Sequence, residues 1–102
     1  PGQACALVDA AAREVLQSHG LGPDYALPGL PHRTGHGIGM EAHEEPYMVS
    51  GNHLPIAPGH AFSVEPGIYV AGKWGMRLED IVVATANGPL RMNSTPRELV
   101  IL

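Results

Sequence analysis

A histidine-rich segment, HRTGHGIGMEAHEEP, holds the residue types in this sequence that are best suited to chemistry. His32, His36 and His43 fall within twelve positions, and glycines stand at positions 35, 37 and 39. Imidazole nitrogens bind divalent metal ions and transfer protons near neutral pH. The glycines disfavour a helix, and no histidine follows at the spacing of a helical His-Glu-x-x-His zinc motif. Any metal or catalytic site in this segment must therefore lie on a loop or a strand.

Two carboxylates farther along the chain stand in apolar surroundings. Glu65 lies within AFSVEPGIYV, and Glu79 lies within GMRLEDIVV. A buried carboxylate costs free energy unless it is paired or bound to a cation. Alternation along a strand places Arg77 on the same face as Glu79. These glutamates could therefore converge with the guanidinium on one side of a hairpin.

Two interpretations of this convergence are open. One is a structural salt bridge between Arg77 and a glutamate, which would be costly in a dry core. The other is a metal site with His36, Glu65 and Glu79 as ligands. His43 would then lie nearby as an acid, a base or a hydrogen-bond donor. We favour the metal site, because it gives two carboxylates a reason to converge.

The elements that must position these residues follow from hydropathy and from turn residues. Apolar residues at helical spacing predict a helix over residues 4–19, with Asp9 and Arg13 paired on the side opposite the apolar stripe. A short strand is predicted over 36–40, and turns over most of 44–60. A hairpin follows, with arms 61–70 and 76–84, and Pro66-Gly67 interrupts its first arm. The last predicted elements are a returning strand over 90–92 and a strand over 97–102. One helix followed by antiparallel strands predicts an α+β fold.

Composition limits the classes of function. The chain of 102 residues is long enough for one small domain, and its net charge of −4 with scattered Lys and Arg argues against nucleic-acid binding. No apolar run is long enough for a membrane span, and no signal peptide is visible. The single Cys5 is expected to be a small core residue of the helix. A reducing compartment, and hence a cytoplasmic location, is the expectation.

Three separated motifs resemble one protein family. TGHGIGMEAHEEP, SVEPGIYV and RLEDIVV, in this order and spacing, are similar to the pita-bread metallopeptidases, in particular the Xaa-Pro dipeptidase (prolidase) and Xaa-Pro aminopeptidase branch. VDAAAR in the first helix and the ending STPRELVIL fit the same family. The resemblance covers almost the whole chain. It implies that residues 1–102 form the C-terminal half of a pseudo-symmetric catalytic domain, with a helix followed by a curved antiparallel sheet.

The resemblance also implies roles for individual residues. The family binds two divalent ions, often manganese, cobalt or zinc, through two aspartates, one histidine and two glutamates. The matching ligands are His36, Glu65 and Glu79, and the last would bridge both ions. Glu65 would also act as general acid and base, and His43 would contact the substrate or the tetrahedral intermediate.

His32 and Arg77 match residues that bind the substrate in the proline-specific branch. The expected substrate is a peptide with proline at its second position.

The resemblance has one important gap. Nothing in the chain matches the family's two aspartates, because Asp9, Asp24 and Asp80 lack the expected strand context. We therefore expect the chain to be part of a longer peptidase, to be inactive alone with at most one weakly bound ion, and to form a homodimer that covers an unpaired sheet edge. Two alternatives remain on the same fold: a catalytically inactive peptide- or protein-binding module, and a metal-free hydrolase of the creatinase type.

Overall fold

The computed structural model describes all residues, Pro1–Leu102, as one helix followed by seven short strands. The elements are α1 (Cys5–Ser18), β1 (Gly35–Gly37), β2 (Glu44–Met48), β3 (Ala61–Val64), β4 (Gly67–Val70), β5 (Trp74–Arg77), β6 (Asp80–Thr85) and β7 (Gly88–Arg91). All strand pairs are antiparallel. This arrangement confirms the α+β prediction. The single helix, with 14 residues, does not meet the length that a membrane crossing requires.

The strands form two sheets that share one bent hairpin. The larger sheet has the order β2-β1-β3-β6-β7, and the smaller contains β4 and β5. Pairing of β3 with β6 continues as pairing of β4 with β5, so both arms of the predicted hairpin are confirmed. Each arm is interrupted, one at Glu65-Pro66 and the other at Leu78-Glu79. Pro66 has no N–H to donate to a ladder, and the two candidate glutamates stand at these facing interruptions.

The core lies between the helix and the larger sheet. Five buried side chains form it: Cys5, Met48, Ile56, Phe62 and Ala84. The prediction that Cys5 is a core residue is confirmed, since its exposed fraction is 0%. Burial of the thiol raises its pKa, and this effect exceeds the opposing effect of a backbone hydrogen bond.

Two local predictions were wrong and a third was incomplete. The prediction of turns over most of 44–60 missed β2 (Glu44–Met48), which pairs with β1, while residues 49–60 lie outside the helix and strands. Residues 97–102 do not form a strand; Arg97 is attached to Asp80 by an ion pair, and Leu99–Leu102 are exposed. Asp9 and Arg13 do not face solvent, since both are buried. The last error has a physical cause, because other segments of the chain supply the polar partners of this pair.

Strand β1 is shorter than predicted. Its first and last residues lie so close to the neighbouring backbone that neither has room for a side chain. A Cβ atom on Gly35 would collide with the carbonyl oxygen of Ser63, and one on Gly37 would collide with that of Glu45. Glycine at these positions lets the neighbouring backbones approach on both sides. His36, between them, is held in the middle of a three-strand contact with β2 and β3.

Candidate metal centre

The carboxylate of Glu65 is held by side chains from three elements. Ser63 Oγ, on β3, donates to Glu65 Oε1 at 3.0 Å. His36 Nε2, on β1, lies 3.0 Å from the same oxygen, and Arg77 Nε, on β5, lies 3.7 Å from Oε2. The Glu65 side chain is only 14% exposed. The carboxylate is therefore fixed in place at the point where β3 ends.

The imidazole of His36 is oriented with one nitrogen toward this carboxylate. Its Nδ1 lies 2.9 Å from the carbonyl oxygen of Gly37, which can only accept, so Nδ1 carries the proton of that hydrogen bond. In the neutral ring Nε2 then presents a lone pair to Glu65 Oε1 at 3.0 Å. Two lone-pair acceptors at this distance need a shared hydrogen or a metal ion to offset their repulsion.

Glu79 completes a cluster of three possible ligands. One nitrogen of His36 and one oxygen each of Glu65 and Glu79 all lie within 4.8 Å of one another. His36 is buried, Glu65 is half-buried and Glu79 is exposed. One imidazole nitrogen and two carboxylate oxygens are a donor set that suits manganese, cobalt or zinc. The residues present therefore fit a divalent ion, and the structure brings together all three predicted ligands.

The other predicted site residues surround this cluster. The His43 ring centroid is 4.2 Å from that of His36, with the rings tilted by 46°. His32 Nε2 lies 3.2 Å from Tyr69 Oη, and the Arg77 side chain is 52% exposed. A cleft of about 470 Å³ is lined by residues that include both flanking histidines and the arginine. The cleft is large enough for a small peptide and opens directly onto Glu65.

The structure shows an Arg77–Glu65 contact, so both sequence interpretations have a counterpart. At 3.7 Å, with a half-exposed guanidinium, this ion pair contributes little stability. It does not account for the approach of His36 and Glu79 to the same carboxylate. The metal site therefore accounts for more of the observed geometry than the salt bridge does.

Several residues near the site were not found from the sequence. Alternation along β3 puts Ser63 on the same face as Glu65, but its hydrogen bond to the carboxylate was not predicted. Tyr69 Oη reaches His32 from β4, and no local pattern signals this contact. The buried pair of Asp9 and Arg13 was assigned to the exposed side of the helix. In each case the partner is distant in sequence or lies across a bend.

Asp80 follows Glu79 and anchors the end of the chain rather than facing open solvent. Its carboxylate accepts from Asn93 Nδ2 at 2.7 Å and forms ion pairs with Arg97 and Arg91. The pKa of Asp80 is lowered, chiefly by the hydrogen bond from Asn93. Burial is the next largest effect and opposes it, and Arg97 and Arg91 lower the pKa further. The start of β6 is thus held directly beside Glu79.

An antiparallel sheet whose bent hairpin carries one nitrogen and two oxygen donors close together has the features of a metal-binding site. Comparison with known proteins agrees. The family model of metallopeptidase family M24 matches residues 1–86. The chain belongs to this family.

Several similar proteins are described as dipeptidases. A Mycobacterium tuberculosis protein described as "Probable dipeptidase PepE" is 52% identical over 102 residues, which is all of this chain and 26% of that protein. The Xaa-Pro dipeptidase of Lactobacillus delbrueckii subsp. lactis is 41% identical over the same length and share. The crystal structure of dipeptidase PepE from Mycobacterium ulcerans superposes with a TM-score of 0.87 at 58% identity, covering 97% of this chain and 25% of that one. The chain thus spans about a quarter of the length of these relatives.

Proposed function

We propose that this chain is the C-terminal half of the catalytic domain of a longer protein that hydrolyses the peptide bond preceding proline. The observation that carries the proposal is the cluster of His36, Glu65 and Glu79, whose ligand atoms lie within 4.8 Å of one another. The first two of these residues also line the cleft. One relative named Xaa-Pro dipeptidase is 41% identical across the whole chain, and a second is 40% identical. A cytoplasmic location is part of the proposal, since the one cysteine is a buried free thiol.

The metal part of the proposal assigns ligands to both halves of the longer protein. His36, Glu65 and Glu79 would hold two divalent ions together with two aspartates from outside this chain. Manganese, cobalt and zinc all suit these donors. Bound divalent ions supply Lewis-acid chemistry, which polarises a carbonyl group and lowers the pKa of water.

The remaining steps belong to side chains of this chain. Glu65, fixed by Ser63 and His36, is placed to accept a proton at a carboxylate oxygen and return it to the leaving amine. His43, beside His36, is placed to donate a hydrogen bond to the oxygen on which negative charge develops.

His32 and Arg77 line the same cleft and would hold the proline end of the substrate. Because proline nitrogen has no N–H, recognition must come from its ring and, in a dipeptide, from its terminal carboxylate. Arg77 is half-exposed and carries the charge that such a carboxylate requires.

A binding module without catalysis is the alternative on the same fold. The presence of all three ligands in one cluster favours the peptidase, because a protein that only binds a peptide has no use for a histidine and two glutamates directed at one point. The same observation disfavours a metal-free hydrolase.

The test uses the full-length protein and three assays. We expect cleavage of Ala-Pro but much weaker cleavage of Ala-Ala, loss of activity with a chelator, and recovery with Mn²⁺. Glu79→Gln should lose bound metal and activity, whereas Glu14→Gln, an exposed glutamate on α1, should lose neither. Metal binding without any peptide cleavage would instead support a binding module.

The 102-residue chain alone should differ from the full-length protein. With three of five expected ligands, we propose that it holds at most one ion weakly and has negligible peptidase activity. We also propose that it forms a homodimer. The outer edge of β5 has no partner strand in the fold, and an unpaired strand edge favours association with a second copy.

A further inference from the structure

A buried ion pair on α1 faces the irregular segment that leads into β1. Arg13 Nε donates to Asp9 Oδ2 at 2.8 Å, and Arg13 Nη2 donates to Asp9 Oδ1 at 3.1 Å. The two side chains are 7% and 1% exposed. Burying two charges costs hydration energy that their attraction only partly offsets. The pair is therefore better explained by the segments of the chain that it holds in place than by a gain in the free energy of unfolding.

Arg13 uses its other N–H groups to hold a loop. Its Nη1 donates to the carbonyl oxygens of Asp24 at 2.8 Å and Leu30 at 2.6 Å, and Nη2 donates to that of His32 at 2.7 Å. All five N–H groups of the guanidinium are then used. Residues 19–34 contain no helix or strand, so these carbonyls have no ladder partner. One side chain thus fixes three points of this loop, the last of them at His32.

Asp9 has three sets of partners. It orients Arg13, its Oδ2 accepts a hydrogen bond from the hydroxyl of Tyr25 at 3.2 Å, and its Oδ1 accepts hydrogen bonds from the N–H and the hydroxyl of Thr34 at 3.1 and 2.9 Å. The carbonyl oxygen of Thr34 in turn accepts from the backbone N–H of Glu65 at 2.7 Å. The connection toward the metal ligands therefore runs through Asp9 and Thr34, while the connection toward His32 runs through Arg13.

We propose that Arg13 is a positioning residue for His32 and so for the substrate end of the cleft. This inference rests on the proposed function, in which His32 contacts the proline end of the substrate. By holding the carbonyl of His32, Arg13 sets the position from which the imidazole reaches Tyr69 Oη at 3.2 Å and faces the cleft. Lysine cannot replace it, because an ammonium group has three donors on one atom and cannot span three carbonyls and a carboxylate.

The first test is steady-state kinetics of the full-length protein with Arg13→Lys. We expect KM for an Xaa-Pro dipeptide to rise about tenfold while kcat changes much less, since a binding contact is misplaced and the reacting groups are not. Bound metal should stay unchanged, because Asp9 and Thr34 keep their hydrogen bonds. In a His32→Ala background the same substitution should change KM little. Glu14→Gln, on the exposed side of α1, is the control.

Several results would overturn the inference. An equal rise in KM with and without His32, or a loss of bound metal in Arg13→Lys, would mean that Arg13 acts on the fold or on the metal ligands. If Arg13→Lys does not fold, Asp9→Asn serves instead. It keeps an oxygen for Thr34 and removes the charge that orients Arg13, and it should give the same rise in KM.

A crystal structure of the full-length Arg13→Lys protein gives a readout that does not depend on activity. We expect the His32 ring to leave Tyr69 while His36 and Glu65 keep their positions. An unmoved His32 would overturn the inference even if the protein cleaves no Xaa-Pro peptide. If the unsubstituted protein cleaves no Xaa-Pro peptide but His32 is displaced in the variant, the proposed function is overturned and the positioning role of Arg13 is not.

Discussion

At the scale of single residues, the carboxylate of Glu65 has neighbours that fix its position before any ion binds. Ser63 Oγ donates to Glu65 and also accepts the backbone N–H of His36 at 3.0 Å. This hydroxyl is fully buried, so water does not compete for either hydrogen bond. Groups that orient metal ligands in this way affect the affinity for the metal ion without contacting it.

Ser63→Ala should therefore weaken metal binding while leaving all three ligands in place. We expect the affinity of the full-length protein for Mn²⁺ to fall by about 10- to 100-fold, measured by calorimetric titration after metal removal. Ser50→Ala, in an exposed turn, is the matched control. Equal affinities for the two variants would show that Ser63 has no such role.

The buried thiol of Cys5 permits a second test at this scale. Its pKa is raised by burial, so the folded protein holds little thiolate at pH 8. Mass spectrometry should find Cys5 unmodified by iodoacetamide in the native protein and modified in urea. Because burial favours the protonated thiol, the stability that the buried Cys5 contributes is lost as the pH rises above the pKa of an exposed thiol and through the raised pKa of the folded state. Rapid native alkylation would contradict this burial.

At the scale of elements, local patterns predicted what local interactions determine. Helical spacing predicted α1 closely, and alternation with Asn87-Gly88 predicted the hairpin and the return of β7. Alternation alone did not predict the interruption at Leu78-Glu79, so the strand 76–84 was drawn as continuous. The bend places Glu79 opposite the end of β3, where Glu65 lies. A flat, continuous strand would not have this bend at Glu79.

Features set by distant partners could not be read locally. Strand β2 contains Pro46 and stands among turn residues, and only its pairing with β1 makes it a strand. Asp9 was assigned to solvent because charged residues on a helix usually face water. Its partners Thr34 and Tyr25 lie 25 and 16 positions away. The convergence of the three ligands was predicted, because two glutamates in apolar strands need a cation or a partner, and the motif resemblance indicated the same three residues.

The close packing of β1 makes a prediction about glycine. Gly35→Ala should destabilise the full-length protein by about 2 kcal/mol or more, because its Cβ meets the rigid backbone of Ser63. Gly39→Ala should cost much less, since its Cβ meets only the movable carboxylate of Glu44. Denaturant unfolding compares the two variants. Equal losses of stability would argue against the close contact of β1 with β3.

At the scale of the whole molecule, the chain leaves an unusual amount of surface uncovered. Its accessible area is 6680 Å², against about 5500 Å² expected for a folded monomer of this mass. Apolar side chains on α1 and around β5 are exposed by half or more, namely Leu7, Val15, Trp74, Met76 and Leu78. Surface of this kind normally packs against another part of a protein.

The isolated chain should therefore self-associate. Light scattering during gel filtration should show a dimer whose population rises with concentration. Met76→Lys, on the unpaired β5, should shift the equilibrium to monomer, whereas Leu99→Lys, in the exposed tail, should not. A monomer at high concentration would contradict the predicted dimer.

The most direct test of the central claim is anomalous diffraction from a crystal of the full-length protein grown with Mn²⁺. We predict an anomalous peak at bonding distance from His36 Nε2 and from carboxylate oxygens of Glu65 and Glu79. Density that leaves these three side chains without an ion, or a peak that lies elsewhere, would contradict the claim that they form a metal centre.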